Sequence, residues 1–65
     1  MDTRVIKNRI VVSALRLNPK KCNDFLGLWV YAHKVNEMLE LNLSDDDLTE
    51  CAKHVQRGLN LPDVA

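Results

Sequence analysis

The chain is poor in the residues that punctuate and staple folds. Among 65 residues there are two glycines, two prolines, two cysteines and one each of Phe, Trp and Tyr. Gly27 and Gly58 stand alone, so no glycine-rich loop exists to cradle a phosphate or a dinucleotide. Cys22 and Cys51 allow at most one intramolecular disulfide, and no signal peptide precedes them, which points to a reducing, intracellular, cytoplasmic setting. The longest apolar run, residues 25–32 interrupted at Gly27, falls far short of the roughly 20 residues of a membrane-spanning helix, so no membrane partner is expected.

Net charge is absent too, because nine Lys and Arg balance nine Asp and Glu. The balance hides a division. Up to residue 34, seven basic residues stand against Asp2 and Asp24, a net +5; from residue 35 on, Lys53 and Arg57 stand against seven acids, a net −5. Segments of opposite charge laid side by side in a bundle would neutralise one another at modest gain. A basic segment of Arg4, Lys7, Arg9 and Arg16 would also suit phosphate contacts to nucleic acid. Against that, the last helical segment opens Ser44, Asp45, Asp46, Asp47, and three carboxylates at the N-terminus of a recognition helix would repel phosphates. Single aromatics of each type leave no obvious stacking platform for bases. Nucleic-acid binding is therefore the second reading.

Catalytic chemistry is scarce. His33 and His54 are the only side chains suited to acid–base work at neutral pH, and a histidine on a helix is more often a packing residue than a catalyst, so no catalytic residue or small-molecule substrate is assigned. Cys22, His33, Cys51 and His54 offer four metal-ligand types, but they lack the paired short spacings of structural zinc sites, and Cys51 already belongs to an apolar stripe. No metal and no cofactor are expected.

What the chain has is helical periodicity. The clearest segment runs from Leu39 to Pro62. Ser44 is an N-cap, Asp47 three residues on is the acidic partner of a capping box, and Asp45 and Asp46 favour the positive end of the helix dipole. Leu48, Cys51, Ala52 and Val55 fall on one face, and Gly58 is expected to close the helix in the left-handed conformation, with Pro62 beyond it. A first segment, residues 2–17, sets Ile6, Ile10, Ser13, Ala14 and Leu17 on a stripe widened by Val5, Val11 and Val12. Its β-branched residues 10–12 would also suit a strand, but no second strand-like segment exists to pair with it. Asn18 and Pro19 mark a break.

The second segment, from about residue 19 or Asn23 to residue 41, is the most apolar. Phe25, Leu28, Trp29, Ala32, Val35 and Leu39 form its expected buried face. Leu26 and Val30 fall on one flank of that face and Tyr31 and Met38 on the other, a surplus that two other short helices cannot cover. Leu26, Trp29, Val30, Tyr31 and His33 are accordingly the candidate partner-binding residues.

The stretch from Val35 to Pro62 resembles the MOZART family, the mitotic-spindle organising microproteins of γ-tubulin complexes. That family runs from a leucine- or isoleucine-bearing helix through a Gly-Leu-Asp turn to a helix with leucine and cysteine, then Gly-Val-Asn-Pro. Here Val35 and Leu39 look like the end of the first helix, Leu43 and Ser44 like the turn, Leu48 and Cys51 like the second helix, and Gly58, Leu59 and Asn60 like its exit. The resemblance implies an adaptor that folds with the N-terminal helical region of a γ-tubulin complex protein at a microtubule-organising centre.

The residues together predict one all-α domain, a small three-helix bundle with helices about 2–17, 19–41 and 44–57, acting without catalysis through a protein partner or self-association. A domain this small buries only about 60% of its unfolded surface, which favours stabilisation by a partner or an oligomer. A helical nucleic-acid-binding regulator is the alternative, and a virus-encoded inhibitor of a host protein is a further class using the same apolar surface.

Overall fold

The computed structural model describes residues 3–17 and 22–63, which form α1 (Thr3–Arg16), α2 (Phe25–Met38) and α3 (Asp45–Leu59). Every helix packs against the other two, and no strand occurs among the described residues, so the small three-helix bundle is the architecture. The expected break at Asn18 and Pro19, and the expected helix starts at Asp2 and Pro19, lie outside the described residues.

Cross-helix contacts set the direction of each helix. Arg4, Asn8 and Arg16 meet Asp47, Cys51 and His54 in turn, so α1 and α3 run the same way. Trp29 meets Thr49, His33 lies near Asp45, and the amide of Asn36 bonds both backbone groups of Leu43, so α2 runs against α3. The order is up, down, up.

Helix ends follow local chemistry. Asp24 is extended and its Oδ1 accepts from the N–H of Gly27 at 2.7 Å, which starts α2 at Phe25. The Phe25 N–H donates to the carbonyl of Pro62 at 2.9 Å, tying the segment after α3 to the head of α2. α2 ends at Met38, short of the expected residue 41, because Glu40 turns left-handed with φ 52. The N–H groups of Glu40 and Leu41 then satisfy the carbonyls of Glu37 and Asn36, a Schellman ending whose apolar residue, Leu41, is buried.

α3 starts as its sequence requires, with Ser44 Oγ accepting from the Asp47 N–H. Its end corrects the expectation at Gly58. That glycine is helical, and Asn60 takes the left-handed turn at φ 58, with its N–H and that of Leu61 bonding the carbonyls of Arg57 and Gln56. Asparagine tolerates this conformation well enough to extend the helix two residues beyond the expected position.

The core gathers Leu15 and Val11 from α1, Leu28, Ala32 and Val35 from α2, and Leu48, Cys51, Ala52 and Val55 from α3, with Cys22 and Leu41 at its edges. The α3 face matches its spacing in full. The α1 face does not. Ile6 and Ile10 are exposed and Leu17 is 80% exposed, whereas Val11 and Leu15 are fully buried, a rotation of about one residue, or 100°. Polar contacts mark the flank of α1 that α3 meets. Arg4 pairs with Asp47, and the Asn8 carbonyl accepts from Cys51 Sγ at 3.7 Å. Leu39, placed in the α2 face by its spacing, is 53% exposed because it lies past the last helical turn.

Candidate interaction surface

The five candidate residues on α2 divide between two directions. Trp29 and His33 turn toward α3. Trp29 Nε1 donates to Thr49 Oγ1 at 3.1 Å, and the rings of Trp29 and His33 meet edge to face with centroids 4.1 Å apart. His33 Nε2 lies 3.7 Å from Asp45 Oδ1, beyond hydrogen-bond reach. Both side chains are partly buried. Leu26 and Val30 point outward at 55% and 54% exposure, and Tyr31 packs its partly buried ring on the core from the side toward α1. Leu26, Val30 and Tyr31 line one shallow depression of about 470 Å³ with Cys22, Gly27 and Lys34.

Helical geometry places a second depression next to it. On α1 the flank of Asn8 and Arg16 faces α3, so the opposite flank of Ile10, Ala14 and Leu17 faces α2. On α2 the flank of Trp29, His33 and Asn36 faces α3, so Gly27, Tyr31 and Lys34 face α1. Ile6, Ile10, Ala14 and Leu17 line the second depression, also about 470 Å³. The two therefore open on the same side of the bundle, along the groove between α1 and α2. Of nine large apolar side chains exposed among the described residues, five fall on this side by helical position, Ile6, Ile10, Leu17, Val30 and Met38, while Leu26, about 20° round the helix from His33, stands at its outer rim. The sequence singled out the first three, but as core.

The four basic candidates also separate. Arg4 is engaged, with Nε 2.8 Å from Asp47 Oδ1. Asp47 Oδ2 accepts from the Ser44 hydroxyl as well, so one buried carboxylate joins the cap of α3 to the start of α1. The Arg4 guanidinium holds the Asp47 carboxyl below its ordinary value, opposed by burial and assisted by Ser44. Lys7 is partly buried and Arg9 exposed. Arg9 and Arg16 line a depression of about 420 Å³ with His54, whose Nε2 is 3.4 Å from Arg16 Nη2.

Neither thiol is primed for reaction. Burial, and then Asp24, pushes Cys22 up; burial, and then Asp47 and Glu50, does the same to Cys51. No group of three His, Cys, Asp or Glu side chains among the described residues is arranged to hold a metal ion, and no helix there is long and apolar enough to cross a membrane. No family model matches the chain, and neither a curated protein nor a solved structure does.

Proposed function

We propose that the protein is a non-enzymatic protein–protein interaction module that works through the apolar side of its α1–α2 pair. The observation that carries this is the gathering of five exposed large apolar side chains along one groove, with Leu26 at its rim, where an unassociated bundle would scatter them singly. Trp29 supports the face from behind, by fixing α2 against α3 through Thr49.

The MOZART-like residues bear on this differently. Val35, Leu48 and Cys51 are core, whereas Leu39, Ser44, Gly58, Leu59 and Asn60 are exposed, and a γ-tubulin complex protein as partner, at a microtubule-organising centre, stands as the specific form of the proposal that the resemblance adds.

Nucleic-acid contact is the second reading, favoured by Arg9, Arg16 and His54 around one depression. Arg4 is held by Asp47, which removes it as a freely offered cation.

The test compares substitutions. Leu26→Glu and Val30→Glu should abolish capture of a protein partner in a pull-down read by mass spectrometry, while Arg9→Glu and Arg16→Glu leave it, with circular dichroism confirming the fold of each variant. Tight nucleic-acid binding that weakens steeply with salt and survives Leu26→Glu would refute the module reading.

A further inference from the structure

We propose that the groove between α1 and α2 is covered by a second copy of this chain, in an antiparallel two-fold dimer that completes the core with four helices at the interface. The inference rests on reading that face as an interaction surface, and it names the occupant.

Three observations select a second copy. The first is area. Ile6, Ile10, Leu17, Leu26, Val30 and Met38 are 40% to 80% exposed, on the order of 500 Å² of apolar surface, which reaches the largest patches monomers leave open. A standard interface takes about 800 Å² from each partner, and about 65% of a homodimer interface is apolar, so the face supplies close to the apolar share a stable dimer needs.

The second is shape. The exposed seam of Ile6, Ile10 and Ser13 on α1, continued by Leu17 just past its end, follows spacings of four, three and four, the pattern by which one helix offers knobs to another. The methyl of Ala14 and the bare backbone at Gly27 lie beside Ile10, Leu17, Leu26 and Val30 in the two depressions. A face holding both ridge and groove can receive a copy of itself, as an isologous interface demands.

The third is charge. The chain has no net charge, so two copies approach without long-range repulsion. Lys34 of α2 and Asp24, the cap that precedes it, border the same depression ten positions apart, about 15 Å along the axis, and the Asp24 carboxylate also accepts from the Gly27 N–H. An antiparallel two-fold axis near Val30 carries each Lys34 toward the second copy's Asp24, and does so twice. A parallel arrangement would set Lys34 against Lys34.

Sedimentation equilibrium on the full chain from about 1 to about 100 µM tests this. The expected result is an apparent mass rising toward twice 7.4 kDa. Ile10→Glu and Val30→Glu should return it to a single mass with unchanged helicity, since both positions are exposed in the single chain. Leu26→Ser is the milder companion should either charge disturb folding. Leu59→Glu, exposed but away from this face, should leave the dimer intact. A single mass at every concentration would overturn the second copy; loss of partner capture in Val30→Glu would then still uphold the interaction module. A dimer indifferent to Ile10→Glu and Val30→Glu but broken by Leu59→Glu would overturn the choice of face.

Discussion

Leu15 sits in the last turn of α1 and Leu17 just past its end, and their truncations should differ several-fold. Leu15 is fully buried, so Leu15→Ala takes three carbons out of the interior at about 0.8 kcal/mol each and leaves a cavity that the three helices only partly close. The total comes to about 3 to 4 kcal/mol. A domain of this length holds only about 3 to 10 kcal/mol altogether, so this one change removes a large part of it. Leu17 is 80% exposed and has little burial to lose, so Leu17→Ala should cost about 0.5 kcal/mol or less. Urea unfolding followed by far-ultraviolet circular dichroism measures both. Because Leu17 also borders the α1–α2 groove, the comparison is made at about 1 µM and repeated at about 100 µM, where any loss that grows with concentration belongs to association. Equal losses from the two truncations at low concentration would mean that α1 packs in the phase of its Ile6, Ile10, Leu17 stripe, and the assignment of that stripe to the surface would fall.

Gly58 is helical, exposed and has nothing within 4 Å of a built Cβ, so Gly58→Ala should raise stability by about 0.5 to 1 kcal/mol in thermal or chemical unfolding; a loss would show that the glycine is needed for a turn after all. Asp47 binds its proton less tightly in the folded chain than in the unfolded one. The Arg4 pair's contribution is therefore complete above the ordinary carboxylate range and is lost as pH falls through the lowered folded-state value; Arg4→Met should flatten the acid limb of stability against pH, and an unchanged slope would remove the pair from the account. Both cysteines are buried with raised pKa, so thiol reagents at neutral pH should label them slowly in the native protein and rapidly in urea, and fast native labelling would contradict their packing.

How much was legible depended on whether polarity and burial agreed. In α3 they agree: every inward position is apolar except Asp47, the N-cap Ser44 lies just before the helix, and the sequence defines face and start together. In α1 they disagree. Arg4, though exposed, reaches across to Asp47 of α3 and Asn8 is partly buried, while Ile6, Ile10 and Leu17 look like core and are exposed. The contacts of Arg4 with Asp47 and of the Asn8 backbone carbonyl with Cys51 join positions 43 residues apart, and no local period reports them. The end of α2 was hidden for a similar reason: Leu39 and Leu41 continue the apolar pattern, but the left-handed Glu40 between them is an uncommon place for a side chain. For the surface, the excess of Leu26 and Val30 was readable from α2 alone. That α1 contributes as well was not, because Ile6, Ile10 and Leu17 carry the spacing of a buried stripe.

The most direct test of the central claim is the solvent exposure of assigned methyl groups, read by broadening from a soluble paramagnetic probe at low and at high protein concentration. The methyls of Leu15 and Leu28 should be protected at both concentrations and those of Leu59 broadened at both, while Ile10, Leu26 and Val30 should be broadened when dilute and protected when concentrated. Ile10 and Val30 broadened equally at every concentration would leave the groove uncovered and contradict the account.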